Sequence, residues 1–191
     1  MTRHRLLIAS VGFLWIVANT VRAEEVKLSE NVKCPVSGKP AKAECTAKYL
    51  GKNVYFCCEN CPVSFKESTE KFAVKANHQL AMTGQVAQVA CPITGKPCKK
   101  DTAIDVLGLK VAFCCPNCQG KVSKADDAGK LDLVFAKLDK GFTLQAKCPV
   151  SGKPINPEVT LDHEGKKVYF CCKGCPAPFQ KDPAKYASKL N

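Results

Sequence analysis

After an opening apolar run, the hydrophobic residues of this chain fall in short clusters separated by Gly, Pro, Lys and Cys. Leu6–Ala18 is uncharged and mostly apolar, and no second run of spanning length follows it. Val54-Tyr55-Phe56-Cys57 is rich in β-formers and reads as a short strand, as do Ala103-Ile104-Asp105-Val106 and Val159-Thr160-Leu161. Gly51, Gly108 and Gly165 mark hairpin turns between strand pairs. Beyond each return strand a Cys-x-x-Cys segment leads into a helix. In the last of these, Pro178 and Pro183 split the helical region into two short pieces, with Asp182 as N-cap and Pro183 as the first helical residue. The stretches His78–Ala90 and Leu138–Lys147 read as linkers with Gly84 and Gly141 in common, each expected to add a short strand.

These clusters repeat. Cys34-Pro35-Val36-Ser37-Gly38-Lys39-Pro40 returns 57 residues on as Cys91-Pro92-Ile93-Thr94-Gly95-Lys96-Pro97, and 57 further as Cys148-Pro149-Val150-Ser151-Gly152-Lys153-Pro154. Phe56-Cys57-Cys58 with Cys61 keeps the same register as Phe113-Cys114-Cys115 with Cys118 and Phe170-Cys171-Cys172 with Cys175. Three ungapped copies define three related modules. The predicted fold class is α+β: three tandem small Cys-rich modules, each a tight turn, a β-hairpin and short helices, treble-clef or zinc-finger-like. The boundaries are 34–80, 91–138 and 148–191, preceded by a linker at 24–33. Modules of about 40 structured residues bury little and call for disulfides, metal or oligomerisation.

Composition narrows the class. The 191 residues include 14 cysteines, three histidines and one tryptophan, with a formal net charge of +12. Such cysteine density in an ordered composition leaves two main explanations, a disulfide framework or metal sites. Arg3 and Arg5, the Leu6–Ala18 run and Val21-Arg22-Ala23 have the layout of a secretory signal peptide over 1–23, so export to a periplasm or the exterior is expected. The lysines are spread through all three modules, and without an aromatic-lined basic motif nucleic-acid binding is not expected. No Ser-His-Asp set, phosphate loop or carboxylate pair is apparent, so the chain is not expected to be an enzyme.

The chemistry lies in four thiols per module: Cys34, Cys57, Cys58 and Cys61; Cys91, Cys114, Cys115 and Cys118; Cys148, Cys171, Cys172 and Cys175. A turn thiol, thiols at a strand end and a thiol in the first helical turn can converge on one ion, with Zn(II) or Cu(I) as the soft-thiolate candidates, about one per module. Adjacent residues of an extended strand face opposite ways. Cys57 and Cys58 therefore share an ion only if the strand has already turned. The triad is either Cys34, Cys57 and Cys61, with Cys58 fourth if it lies in the turn, or Cys34, Cys58 and Cys61. Two other readings compete. One is a disulfide-stapled secreted protein. The other is a thiol–disulfide oxidoreductase using Cys58-Glu59-Asn60-Cys61 and its counterparts, which lack a thioredoxin-sized βαβ scaffold.

At these residues the modules resemble the YHS and TRASH metal-binding domains. The matching positions are Tyr169, Phe170, Cys171, Cys175, Phe179, Asp182, Pro183, Lys185 and Tyr186 in the third module, and Tyr55, Phe56, Cys57, Cys61, Phe65 and Phe72 in the first. The second departs after Cys118, with Val122 and Gly129 at the two aromatic positions. The resemblance implies heavy-metal binding, often of copper, in sensing, trafficking or resistance. A YHS turn commonly has its cysteine at the fourth position, where this chain has Ser37, Thr94 and Ser151, its own cysteine standing three residues earlier. Cys45 and Cys98 have no counterparts in other modules and are expected to form a mutual disulfide or to be two buried thiols. His163, beside Glu164, is expected to be solvated, and His78 to have no role.

Overall fold

The computed structural model describes residues 28–190, so the predicted signal segment at 1–23 and the start of the linker at 24–33 lie outside the described residues. Each module opens on one loop. Cys34 N donates to Lys39 O and Gly38 N to Cys34 O, both at 2.8 Å, and the same two bonds recur at Cys91 and Cys148. Gly38 closes the loop at φ +73°, a region open to glycine and costly for a side chain. Strand β1 (Lys42–Tyr49) then pairs antiparallel with β2 (Lys52–Phe56). The two residues between them, Leu50 and Gly51, both have positive φ, which matches the twist of a tight hairpin. Helices α1 (Asn60–Glu67) and α2 (Thr69–Met82) follow, then the short strand β3 (Ala87–Gln88).

The second module repeats the plan with β4 (Lys99–Val106), β5 (Leu109–Phe113), α3 (Pro116–Ser123), α4 (Asp127–Phe135), α5 (Leu138–Gly141) and β6 (Phe142–Thr143). The third has β7 (Asn156–His163), β8 (Lys166–Phe170), α6 (Pro176–Lys181) and α7 (Ala184–Ala187). The helical region of the third module is divided at Asp182-Pro183 while Pro178 lies inside α6; the N-cap of α7 is Pro183 and not Asp182, whose Oδ1 still accepts from Lys185 N at 3.2 Å. All three hairpins carry a register shift in the first strand, between Lys42 and Thr46, Lys99 and Ile104, and Asn156 and Thr160.

The linkers do contain the expected strands, and these pair with each other: β3 runs antiparallel to β6. Gly141 permits the join. A Cβ there would come 2.7 Å from Pro92 Cα, and Gly141 O accepts from both Val89 N and Ala90 N. His78, by contrast, lies within α2 and not in a linker. The first module's helical stretch continues through it because Thr69–Met82 holds no proline or glycine to stop it. Its ring packs against Phe135 of α4 at 5.0 Å, and burial pushes its imidazole below the ordinary value.

The core is also divided differently from three equal thin modules. One continuous apolar cluster joins the first two, from Cys34, Val54, Phe56 and Phe65 through Leu80 to Val111, Phe113, Phe135 and Phe142. Helices α2 and α4 pack together within it. The third module keeps a separate small cluster of Cys148, Val168, Phe170, Cys175 and Phe179. There Phe179 packs against Phe170 at 5.5 Å and against Tyr186 at 6.1 Å. His163 is half-buried with its ring edge-on to Phe179 at 5.1 Å, so it belongs to this cluster's rim and is not simply solvated.

Candidate metal centres

Strand β2 ends at Phe56, so the chain has already bent where Cys57 and Cys58 stand. The facing problem of an extended strand therefore does not arise. Cys57 Sγ lies 3.8 Å from Cys58 Sγ and 3.6 Å from Cys61 Sγ, and Cys58 Sγ lies 3.5 Å from Cys61 Sγ. The turn thiol joins from the other side: the sulfurs of Cys34, Cys57 and Cys61 all lie within 4.8 Å of one another. The same grouping unites Cys91, Cys114 and Cys118, and Cys148, Cys171 and Cys175. Cys115 Sγ is 3.7 Å from Cys114 Sγ, and Cys172 Sγ is 3.6 Å from Cys175 Sγ. Each module thus gathers a three-thiol group with the fourth thiol against it.

Burial grades these thiols. Cys34 is 1% exposed and Cys61 8%, whereas Cys57 is half-buried and Cys58 exposed. The environment separates their acidities as well. Burial opposes ionisation of Cys34, but the Ser37 hydroxyl and the backbone N–H groups of Ser37, Cys57 and Val36 outweigh it and hold the thiol at about 7, against an ordinary 9.0. Cys91 is lowered to about 7 and Cys148 to about 6 by equivalent donors acting against burial. Backbone N–H donation from Cys61 leads the groups that lower Cys58. Burial, reinforced by donation to neighbouring sulfurs, pushes Cys61 well up, and pushes Cys118 and Cys175 up to about 12. Each cluster therefore combines a turn thiol that ionises more readily than usual with a buried thiol that ionises less readily. A soft cation offers a favourable exchange for the proton of the latter, since metal binding to thiols releases protons.

Two further sets of residues shape the thiol clusters, the turn hydroxyls already noted as departures from a YHS turn and a set of glutamines with no such notice. Ser37 Oγ lies 3.1 Å from Cys57 Sγ, Thr94 Oγ1 3.2 Å from Cys114 Sγ and Ser151 Oγ 3.1 Å from Cys171 Sγ. These hydroxyls occupy the turn position where a YHS turn has its cysteine, and they face the cluster. Their signal was the Ser/Thr recurring three residues after each turn cysteine.

The second set is a glutamine clamp. Gln145 Nε2 donates to Lys147 O and Tyr169 O, and its Oε1 accepts from Tyr169 N. Gln88, 57 residues earlier, makes the same bonds to Ala90 O, Ala112 O and Ala112 N. Each clamp ties the residue before the turn cysteine to the strand position two residues before the Phe-Cys-Cys cysteine. Two ligand-bearing segments are thereby held at a fixed separation. In the first module Asn31 stands at the repeat position. Gln79 of α2 instead donates to Lys33 O and Tyr55 O and accepts from Tyr55 N. The 57-residue spacing could have revealed Gln88 and Gln145, but Gln79 is out of register.

Replacing Gln145 by alanine leaves Tyr169 N and O without their side-chain partner, and should destabilise the third module by roughly 1–3 kcal/mol. Hydrogen exchange at β8 should rise while β2 and β5 keep their protection. Unchanged exchange at β8 would mean that the clamp carries no weight.

Cys45 and Cys98 are free, half-buried thiols and not a disulfide. Cys45 lies in the irregular part of β1, where the register shifts. Cys98 Sγ donates to Ala112 O at 3.3 Å and receives Gln88 Nε2 at 3.6 Å. Burial, with the neighbouring Cys91 and Cys114, pushes Cys98 up to about 11.

No family model, curated protein or solved structure matches this chain. The class that the described residues define is therefore a chain of three thiol-cluster modules, each able to hold a metal ion. No helix among the described residues is long and apolar enough to cross a membrane.

Proposed function

We propose that this protein is an exported binder of soft heavy-metal ions, holding about one Zn(II) or Cu(I) in each module for sequestration, trafficking or resistance. On this reading it is a binding protein and not an enzyme. One observation carries the proposal: in three like groups, Cys57 and Cys61 or their counterparts have sulfurs 3.6–3.7 Å apart, with the turn thiol within 4.8 Å of both. A tetrahedral zinc–thiolate site with Zn–S near 2.3 Å has sulfurs about 3.8 Å apart, so the thiols stand near ligand spacing. Disulfide sulfurs lie about 2.0 Å apart, a bond length none of these pairs approaches.

Other features support the same reading. The hairpin and helix around each thiol cluster support a zinc-finger-like reading, and the YHS and TRASH resemblance at Tyr169, Phe170, Cys171 and Cys175 implies heavy-metal binding. The signal-like segment at 1–23 supports export, and the exposed lysines then serve as a solvated surface. The proposed partners are metal ions, with neither nucleic acid nor a stable membrane span. The test is to purify the exported form at its native redox state and to count bound metal and free thiols together. About three ions per chain with the repeated cysteines reduced is the expected result. Absence of metal, absence of free thiols and no uptake after mild reduction would overturn the proposal.

A further inference from the structure

In each module the four thiols are unequal in access. Cys34 and Cys61 are buried, Cys57 is half-buried, and Cys58 is exposed while still lying 3.5 Å from Cys61 Sγ and 3.8 Å from Cys57 Sγ. The third module has the same gradient: Cys148 and Cys175 are buried, Cys171 is half-buried, and Cys172 is exposed at 3.6 Å from Cys175 Sγ. The second module differs at one point. Cys115, the N-cap residue of α3, is half-buried. A three-thiol cluster is complete without the exposed residue. The extra thiol is therefore not needed to close the group, and it is the only one of the four that an external molecule reaches freely.

We propose that Cys58 and Cys172 are transfer ligands, through which a soft metal ion carried by an external thiolate partner enters and leaves the three-thiol group. The proposal rests on the metal-binding reading above and specifies its partner class: a carrier that holds the ion by cysteine-type sulfur. Transfer proceeds by ligand exchange without any change of oxidation state. The Cys58 Sγ–metal bond forms as one donor sulfur–metal bond breaks, and the Cys58 thiol proton passes to the departing donor thiolate. Cys57, next in depth and 3.8 Å away, displaces a second donor sulfur in the same way; Cys34 then binds with its proton released to solvent, and Cys61 binds as the Cys58 Sγ–metal bond breaks, its proton passing to Cys58 Sγ 3.5 Å away. Release runs through the same steps in reverse. The second module, whose corresponding thiol is half-buried, is the slow site.

The test uses the full reduced chain and zinc supplied as its dithiothreitol complex. The C58S/C172S double variant should still bind three zinc ions, with affinity within about tenfold of wild type. Its uptake should slow by about tenfold or more for two of the three ions, because the entry path and not the site has been altered. C115S should change the remaining, already slow, phase less. Zinc uptake at wild-type rates by the double variant would overturn the proposal, and so would binding of only one zinc, which would make Cys58 and Cys172 indispensable ligands. Alkylation of the zinc-loaded wild-type chain gives a measurement that needs no variant. Cys58 and Cys172 should react well before Cys34 and Cys61, and equal protection of all four would overturn the proposal. A wild-type chain that binds no zinc would overturn the metal-binding reading itself, and this inference with it.

Discussion

Cys148→Ser is expected to remove one metal ion per chain and to unfold the third module, while the first two stay folded. Among the described residues, the third module buries Cys148, Val168, Phe170, Cys175 and Phe179, two of them thiols, with residues such as Val159, Leu161 and Tyr186 partly buried around them. Replacing Cys148 removes the buried turn thiol of the group and leaves little apolar burial in reserve. Structural zinc in finger peptides has an apparent binding free energy of about 10–16 kcal/mol, so loss of a site in so small a unit is a loss of folding. Cys91→Ser provides the contrast. It removes the equivalent ligand within the continuous cluster that joins the first two modules, where Phe56, Phe65, Leu80, Phe113 and Phe135 remain buried. The second module should then lose its ion and keep most of its structure. Metal analysis combined with hydrogen exchange resolved by module checks both outcomes. Retained protection in β7 and β8 of Cys148→Ser would show that the third module folds on apolar burial alone.

Phe135→Ala should destabilise the joined first two modules by about 3–5 kcal/mol. The side chain is fully buried. Its ring centroid is 5.0 Å from that of His78 and 5.4 Å from that of Phe142, and its carbonyl accepts from Asn77 Nδ2 at 2.8 Å. It thus touches α2 from the first module and β6 from the paired linkers. Truncation opens a cavity at this seam, and the first two modules should begin to unfold in separate steps. Urea titration followed by probes in β2 and β5 would detect the separation. A loss below about 1 kcal/mol with one shared transition would mean that the seam is held elsewhere.

The repeat made much of this protein legible. Tight turns at Cys34, Cys91 and Cys148, hairpins closed at Gly51, Gly108 and Gly165, and helices after Cys-x-x-Cys all follow from local chain chemistry. Local chemistry is read residue by residue, so three copies of one pattern reinforce it. The convergence of the repeated thiols was equally visible, because their spacing implies a common destination. The inequality of the modules was not. Asn77, His78 and Phe135 carry no repeat signal, and their importance comes from α2 meeting α4, a contact between residues 58 apart in sequence. The geometry of Cys57 and Cys58 depended on whether the strand ended at Phe56 or ran on, a difference of one residue that composition does not resolve.

The clamp on the first module carries a consequence for how such a chain grows or shrinks. A tandem array is ordinarily a unit that can be copied or trimmed by whole periods. Here the second and third copies carry their glutamine at the front, at positions 88 and 145, whereas the first carries Asn31 there and borrows Gln79 from the far end of its own helical stretch. That helix also packs on α4 of the next copy. Duplicating residues 88–144 would insert a copy that carries its own clamp, although its Phe135 would lack the α2 face it packs against here. Duplicating residues 31–68 would produce an orphan with neither a glutamine nor the helix that lends one. The array therefore has a grammar: a copy of the second module carries its clamp at its front, whereas a copy of the first must run on through Gln79 to carry one.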